Sequence, residues 1–407
     1  MTIKSVLLIV LVGVLVFGSI LFTGFYGDDK HIIVQARIVH SLQSISLFFI
    51  SSIPFISQNG HVAYSYYKPL MFLSYSILYL LGHGQPFIFH LFQVILHITN
   101  AVLLFYLFFK IFDKRIALFL SLLFLIHPVN EEVVAYIACL QDTLFLFFGL
   151  LGLLVLQRRN IRLRHILLVI FLFFLSILSK ETGILFFAMG LIYIAISKIR
   201  QVKPYLIGSF FIICVYVFLR IIASYFYFIR ILSVPLLNNS LYSRLFISIR
   251  AMASYIKEII LPTDTITPIN QELLSHVSSA QIFLQVLFII FFIILTCIAG
   301  YLIWRKSRNF FIYFLFFSLW FYMGIGAHLQ IIPLDEIVAK RWLYFPLVGL
   351  LGMLGCIVKC IKIENTKLRI VILGLCLFLL AIYCYKTIKM NTYWRNTAVL
   401  KEHVYKL

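Results

Sequence analysis

The chain has 407 residues, of which 63% are hydrophobic and 12% charged, with a mean hydropathy of +1.06. A soluble domain is about 45–50% apolar and about 25% charged, so a chain folded in water is excluded. The net charge of +20 does not point to nucleic acid, because the basic residues form short clusters between apolar runs and no polar stretch is long enough for a nucleic-acid-binding module. The composition predicts an all-α polytopic membrane protein.

In chain order, the first apolar run follows Lys4 and ends near Phe22. No small-residue cleavage site is evident before Asp28, so a retained first span is expected. About eleven spans are predicted from stretches long enough to cross: 5–23, 86–109, 115–127, 142–157, 165–180, 183–197, 204–222, 281–304, 310–327, 343–361 and 368–387. The first run ends in "GFYGDDKHI", which sets Asp28 beside Asp29. Neighbouring carboxylates repel and burial disfavours ionisation, which suits a general base. A solvated helix-stop turn is the alternative.

The first outer segment, 24–85, carries "SLQSISLFFISSIPFI" and "YYKPLMFLSYSILYLL". Both are expected to be helices lying at the membrane surface or packed on the bundle. Next comes "HPVNEEVVAYIACLQDTL". Pro128 breaks a helix, Asn130 is expected to cap the next, and Asp142 is expected to cap the fourth span. Capping explains one acid better than it explains His127, Glu131, Glu132 and Asp142 together at one membrane edge. The tight "LSKETG" hairpin sets Lys180 and Glu181 at a rim, either as an ion pair with each other or as an anionic headgroup anchor. The fourth outer loop, 223–280, holds "RLFISIRAMASYIKEIILP", an expected interfacial helix. In "PLDEIVAKRWLYFP", Lys340 and Arg341 are basic on the side where basic residues are scarce, and an Arg fork suits phosphate. The chain is expected to be a single transmembrane domain over 1–407, with 388–407 a short outer tail.

With eleven spans the basic clusters share one side, the cytoplasmic one, which sets the amino terminus inside and the carboxyl terminus outside. Of the fourteen acids, only Asp113 and Glu364 then fall on the cytoplasmic side. The seven cysteines lie in or beside apolar runs, which argues against a disulfide framework. No soluble-enzyme motif is present. An enzyme of this kind takes an activated substrate already in the membrane. The rivals are a lipid or sugar transporter or flippase, and a scaffold. A transporter is expected to carry repeated halves and midplane charges; here the acids crowd one rim and no repeat recurs.

"GDDKHIIV", "YYKPLMFLSY", "PFIFHLFQVILHITNAVLLF", "HPVNEEVVAYIACLQDTL", "LSKETG", "AKRWLYFP" and "NTYWRNTAVL" stand in the order found in the transmembrane-and-tetratricopeptide O-mannosyltransferases and their prokaryotic relatives. The chain resembles this family of GT-C-fold glycosyltransferases over about residues 20–400. The resemblance implies a sugar donor on a polyprenyl or dolichyl phosphate; with the acids on the outer side, inverting transfer to a protein or glycolipid acceptor on the non-cytoplasmic face is the expected reaction. The resemblance also implies an acidic base at Asp28 or Asp29, with Asp29 favoured, and an acid at Glu132. The family's Lys-Asp pair falls on Gln141-Asp142, its "SKE" base on Lys180 and its arginine on Arg341, with Lys340 beside it. Tyr67, Lys68, His127 and Glu181 are expected in support. Lys68, Gln141 and Lys340 depart from the family's Arg, Lys and Glu, which puts the donor sugar in doubt more than the reaction type. The tetratricopeptide segment is not part of this sequence, so a grip on a protein acceptor is not expected from it. No cofactor is required, although a divalent metal at the acid cluster is compatible with the resemblance. The expected location is the inner membrane of a prokaryote or the endoplasmic reticulum of a eukaryote.

Overall fold

Inside a bilayer the backbone must satisfy its own hydrogen bonds, so long apolar runs become helices. The computed structural model describes residues 2–56, 62–225, 241–263, 279–332, 334, 336–361 and 365–395. Asp264, Glu272, Asp335, Glu364 and Glu402 lie outside them. The helices are α1 (Thr2–Phe17, extended by a tight turn to Phe22), α2 (Ile45–Ile50), α3 (Pro69–Gly82), α4 (Pro86–Phe109), α5 (Lys114–Ile126), α6 (Glu131–Ala135), α7 (Leu140–Leu156) and α8 (Leu163–Ser179). They continue as α9 (Leu185–Ile196), α10 (Val202–Tyr225), α11 (Leu241–Ile260), α12 (Ser279–Lys306), α13 (Arg308–Gly326), α14 (Tyr344–Cys360) and α15 (Thr366–Tyr393).

Among the described residues, eight helices are long and apolar enough to cross a membrane, or nine if the bent pair Lys114–Ile126 and Pro128–Ala135 is one span. That pair bends by 47° at Pro128, which has no N–H to continue the helix. All eleven expected segments fall on helices, but α8 and the 181–196 helix are shorter than a full crossing. The protein is an all-α, multi-pass integral membrane protein.

The surface-helix expectation for "SLQSISLFFISSIPFI" is corrected. Its first part forms the short α2, and its end forms strand β1 (Ile53–Ile56), paired antiparallel with β2 (Val62–Tyr66). Pro54 disfavours a helical conformation at the residue before it and is tolerated in a two-stranded ribbon. The second stretch does form a helix, α3. Met71, Phe72, Tyr75 and Leu78 of α3 are buried in a core with Ile33, Val39, Phe48 and Phe89.

The chain forms two compact units. The first comprises Met1–Val16, Phe108–Glu132 and Val234–Leu407; the second comprises Phe17–Leu107 and Val133–Ser233. In the second, Gly149 and Gly152 of α7 let the rings of Phe186 and Phe173 approach the helix backbone. The Ser176 hydroxyl donates to the Phe145 carbonyl at 2.8 Å. In the first unit, α14 lies close on α13. A Cβ at Gly349 would stand 2.5 Å from the backbone nitrogen of Phe321. The Thr387 hydroxyl ties α15 to the end of α5 through the Ile126 carbonyl at 2.8 Å.

Backbone cannot rotate away from an added methyl. Gly349→Ala is therefore expected to cost about 1–3 kcal/mol through overpacking and to lower the melting temperature of the detergent-solubilised protein. Gly374→Ala, on α15 with nothing within 4 Å of its added Cβ, is expected to leave it unchanged or slightly raised, since Ala favours helix over Gly by about 1 kcal/mol.

Candidate active site

In the second unit, the turn after α1 builds around the aspartate doublet. Thr23 Oγ1 lies 2.8 Å from His90 Nε2 on α4. Gly27 takes φ +51, and a Cβ there would meet the Tyr136 hydroxyl at 3.0 Å, so the position needs glycine both for its backbone and for its space. The Asp28 N–H donates to the Tyr136 hydroxyl at 2.9 Å. Asp29 is 1% exposed. One of its carboxyl oxygens accepts the Tyr26 N–H at 3.1 Å, and the other accepts the Ala138 N–H at 2.8 Å.

The 133–139 segment that Asp29 grips is held from α4 and α3 as well. The Gln93 amide donates to the Val133 and Tyr136 carbonyls at 2.5 and 2.7 Å. The Tyr75 hydroxyl donates to the Ile137 carbonyl at 2.9 Å. Burial pushes the Asp29 carboxyl up from 3.8 to about 8, against the pull of the Tyr26 and Ala138 N–H groups and with help from the Asp28 charge. The two aspartates are thus unequal. Asp29 is buried and doubly tethered. Asp28 is half-buried, and its carboxylate makes no hydrogen bond among the described residues.

The same unit holds Lys180 and Asp142. The Lys180 ammonium lies 2.5 Å from an Asp142 carboxylate oxygen, and both side chains are buried. Lys180 follows α8 with an extended backbone, so it and Glu181 leave the chain in different directions. Glu181 pairs instead with Arg220 at 3.2 Å. The expected pair of Lys180 with Glu181 does not form, and Asp142 serves Lys180 rather than capping the fourth span, whose N-cap position is Cys139. Arg220 also donates to the Tyr216 hydroxyl at 2.9 Å. The Tyr216 ring lies 6.0 Å from that of Tyr67, whose hydroxyl donates to the Phe49 carbonyl at 3.0 Å. The Lys68 ammonium sits 4.0 Å over the Tyr66 ring.

The first unit gathers the other predicted residues. After Pro128 the chain makes one tight turn before α6, and His127 rather than Asn130 caps it, with Nδ1 accepting the Val129 N–H at 3.2 Å. Its Nε2–H is then free to donate to the Ile259 carbonyl, 3.1 Å away. Asn130 donates back to the Phe124 carbonyl at 2.6 Å. Glu131 is fully buried and accepts from the Trp394 indole N–H. Glu132 receives the Arg341 guanidinium at 2.7 Å and the Arg341 backbone N–H at 3.1 Å. The other arm of Arg341 reaches Glu336 at 2.8 Å. Lys340 pairs with Glu258 at 2.8 Å and donates to the Thr263 carbonyl at 2.9 Å. Among the described residues no group of three or more His, Cys, Asp or Glu is arranged to hold a metal ion.

Residues 67–221 match the family described as dolichyl-phosphate-mannose-protein mannosyltransferase. Over 189 residues the chain is 28% identical to protein O-mannosyl-transferase TMTC3 of Mus musculus, which is 44% of this chain and 20% of that protein. It is 31% identical over 189 residues to a protein O-mannosyl-transferase of Caenorhabditis elegans, 45% of this chain and 27% of the relative. Over 141 residues it is 36% identical to protein O-mannosyl-transferase TMTC1 of Mus musculus, 31% of this chain and 15% of the relative. The chain is similar to protein O-mannosyltransferases. It spans between 15% and 27% of the length of these relatives. The family match covers Tyr67, Lys68, His127, Glu131, Glu132, Asp142, Lys180 and Glu181, and excludes both the aspartate doublet and Arg341.

Four residues that organise these clusters were not singled out in the sequence: Tyr136, Arg220, Glu258 and Trp394. Tyr136 lies in the "HPVNEEVVAYIACLQDTL" stretch, but a tyrosine near a membrane edge reads as part of an aromatic belt. Glu258 and Trp394 are distant in sequence from the groups they meet, and no periodicity joins them.

Two outcomes are expected. Between about pH 4 and pH 8 folded Asp29 holds a proton that the unfolded chain releases. Its contribution is complete below the unfolded pKa and is lost as pH rises through about 8. Melting curves of wild type and Asp29→Asn should therefore shift relative to each other in favour of the Asn protein as pH is raised across that window; parallel pH dependence would contradict the assignment. Asp142→Asn leaves a buried ammonium uncompensated and should cost about 3–5 kcal/mol. The double change Asp142→Leu with Lys180→Met should cost less than the single one, as a double-mutant cycle on melting would show.

Proposed function

We propose that the chain is a membrane glycosyltransferase of GT-C type, which moves one sugar from a polyprenyl- or dolichyl-phosphate carrier to an acceptor hydroxyl. The observation that carries this reading is the aspartate doublet. One carboxyl is buried and fixed by two backbone N–H groups, and its neighbour is open. Asp29 holds the turn and, when protonated, removes a like charge from beside Asp28. Asp28 is then the carboxylate available to an acceptor.

In the reaction the acceptor oxygen attacks C1 of the sugar and its proton passes to the carboxylate of the doublet. The bond from C1 to the phosphate oxygen breaks, the phosphate leaves on its lipid, and the configuration at C1 inverts. The bond electrons leave with the phosphate, so a nearby cation lowers the barrier. Lys180 and Lys340 are each buried against a carboxylate, which favours a structural role for both. Arg341 is bridged to Glu132 and Glu336 but keeps 13% side-chain exposure, and we assign it the donor phosphate because its planar fork matches phosphate oxygens. The acceptor, protein or glycolipid, lies on the non-cytoplasmic face, with the amino terminus inside.

Asp28→Asn is expected to keep the wild-type melting temperature and to lower sugar transfer by about 100- to 10,000-fold, the usual worth of a general base. Arg341→Gln should raise the donor concentration needed for half-maximal transfer. Full transfer by the Asp28→Asn protein, with loss confined to a stable Asp29→Asn protein, would move the base to Asp29. Full transfer by both would remove the doublet from the reaction.

A further inference from the structure

Away from the aspartate doublet, the second unit carries a dense basic surface. The link between α7 and α8 holds Arg158, Arg159 and Arg162, with Arg164 in the first turn of α8; the link between α9 and α10 holds Lys198 and Arg200, with Lys203 in the first turn of α10. All seven are exposed, and residues 157–164 and 197–203 contain no acid. The two links are joined: the Gln201 amide donates to the Ile161 carbonyl at 2.9 Å. The Arg162 N–H is fixed by His165 Nδ1 at 2.9 Å, which sets the direction of the first link. Lys198 takes the left-handed conformation, φ +51, at the end of α9, where glycine is the usual residue. A charge therefore stands where a plain helix stop would use none.

A bias of basic residues toward one side orients a membrane protein, but orientation needs neither a hydrogen bond between two loops nor seven cations free of acids. The basic cluster of the first unit differs: there Lys359 is paired with Asp113 at 3.3 Å. A second observation concerns the helices that the links serve. One turn in from the basic surface, α8 exposes Leu167 and Phe171, and α10 exposes Ile207 and Phe211 at 71% and 64%. Residues four apart lie on one face of a helix. Each helix thus offers an apolar stripe starting beneath the cations, as acyl chains below a phosphate headgroup require.

We infer that the joined α7–α8 and α9–α10 links form a binding site for an anionic phospholipid with more than one phosphate charge in its headgroup. The phosphates lie among the arginines and lysines, and the acyl chains lie along the exposed stripes of α8 and α10. Arginine's fork holds phosphate oxygens in pairs, and each cation close to an anionic lipid surface adds to the attraction.

The test uses the purified full chain in detergent. It is incubated in turn with cardiolipin, phosphatidylglycerol, phosphatidylcholine and inorganic phosphate, and retained lipid is counted by native mass spectrometry. Cardiolipin is expected to be retained about tenfold or more over phosphatidylcholine, with phosphatidylglycerol between them, as a sum over several cations implies. The preference should fall about tenfold when Arg159, Arg162, Arg200 and Lys203 are all changed to Gln. It should persist when Arg305, Lys306 and Arg308 of the first unit are changed instead. Raising salt on the unaltered protein should also weaken retention, a reading that needs no variant to fold. Equal retention of all lipids, equal loss in both variants, or insensitivity to salt would overturn the inference. Displacement of cardiolipin by inorganic phosphate at equal concentration would reduce the site to a bare anion site and overturn the lipid assignment.

Discussion

The second unit depends on one buried carboxyl. Asp29 joins the turn after α1 to the 133–139 segment by accepting from two N–H groups, the farther of which, on Ala138, is 109 residues along the chain from it. A backbone N–H left unpaired away from water is costly, and here the carboxyl satisfies two of them. The glycine before it, the Tyr136 hydroxyl against its neighbour and the Gln93 amide behind the segment all follow from that grip. Burial in turn keeps the proton on Asp29 up to about pH 8, so the carboxyl is held largely uncharged at neutral pH and Asp28 stands beside it in a less crowded field.

Buried ion pairs do the corresponding work elsewhere in each unit. Lys180 with Asp142, and Lys340 with Glu258, are fully or nearly enclosed. Such pairs add little net stability over an apolar replacement, but breaking one member is costly. They fix which helix ends meet. Arg341 is the exception in the first unit, since it bridges Glu132 and Glu336 while retaining some exposure. Pairing through both arms fixes the plane of the guanidinium.

Much of the architecture was legible in the sequence because a bilayer leaves a chain few choices. Each of the eleven apolar stretches coincides with a helix, and the break at Pro128 follows from its missing N–H. What periodicity could not show was pairing across distance. Lys180 and Glu181 are neighbours in sequence, yet each found its partner on another helix, Asp142 and Arg220. Glu131 and Glu132 were legible as a cluster, but their partners Trp394 and Arg341 are more than two hundred residues away. Asn130 had a capping residue's identity without its role, because the tight turn beginning at Pro128 moved the cap to His127. The strand at Ile53–Ile56 was hidden by apolar residues that suit helix and strand alike, with Pro54 as its one signal.

The reading as a glycosyltransferase meets its most direct test in a donor panel. Purified protein is incubated with polyprenyl phosphates carrying different sugars and an acceptor mixture, and released polyprenyl phosphate is measured over time. Release from one donor class, with the sugar recovered on an acceptor hydroxyl in inverted configuration, is the predicted result. Lipid moved across a bilayer with its sugar still attached, and no release from any donor, would contradict it.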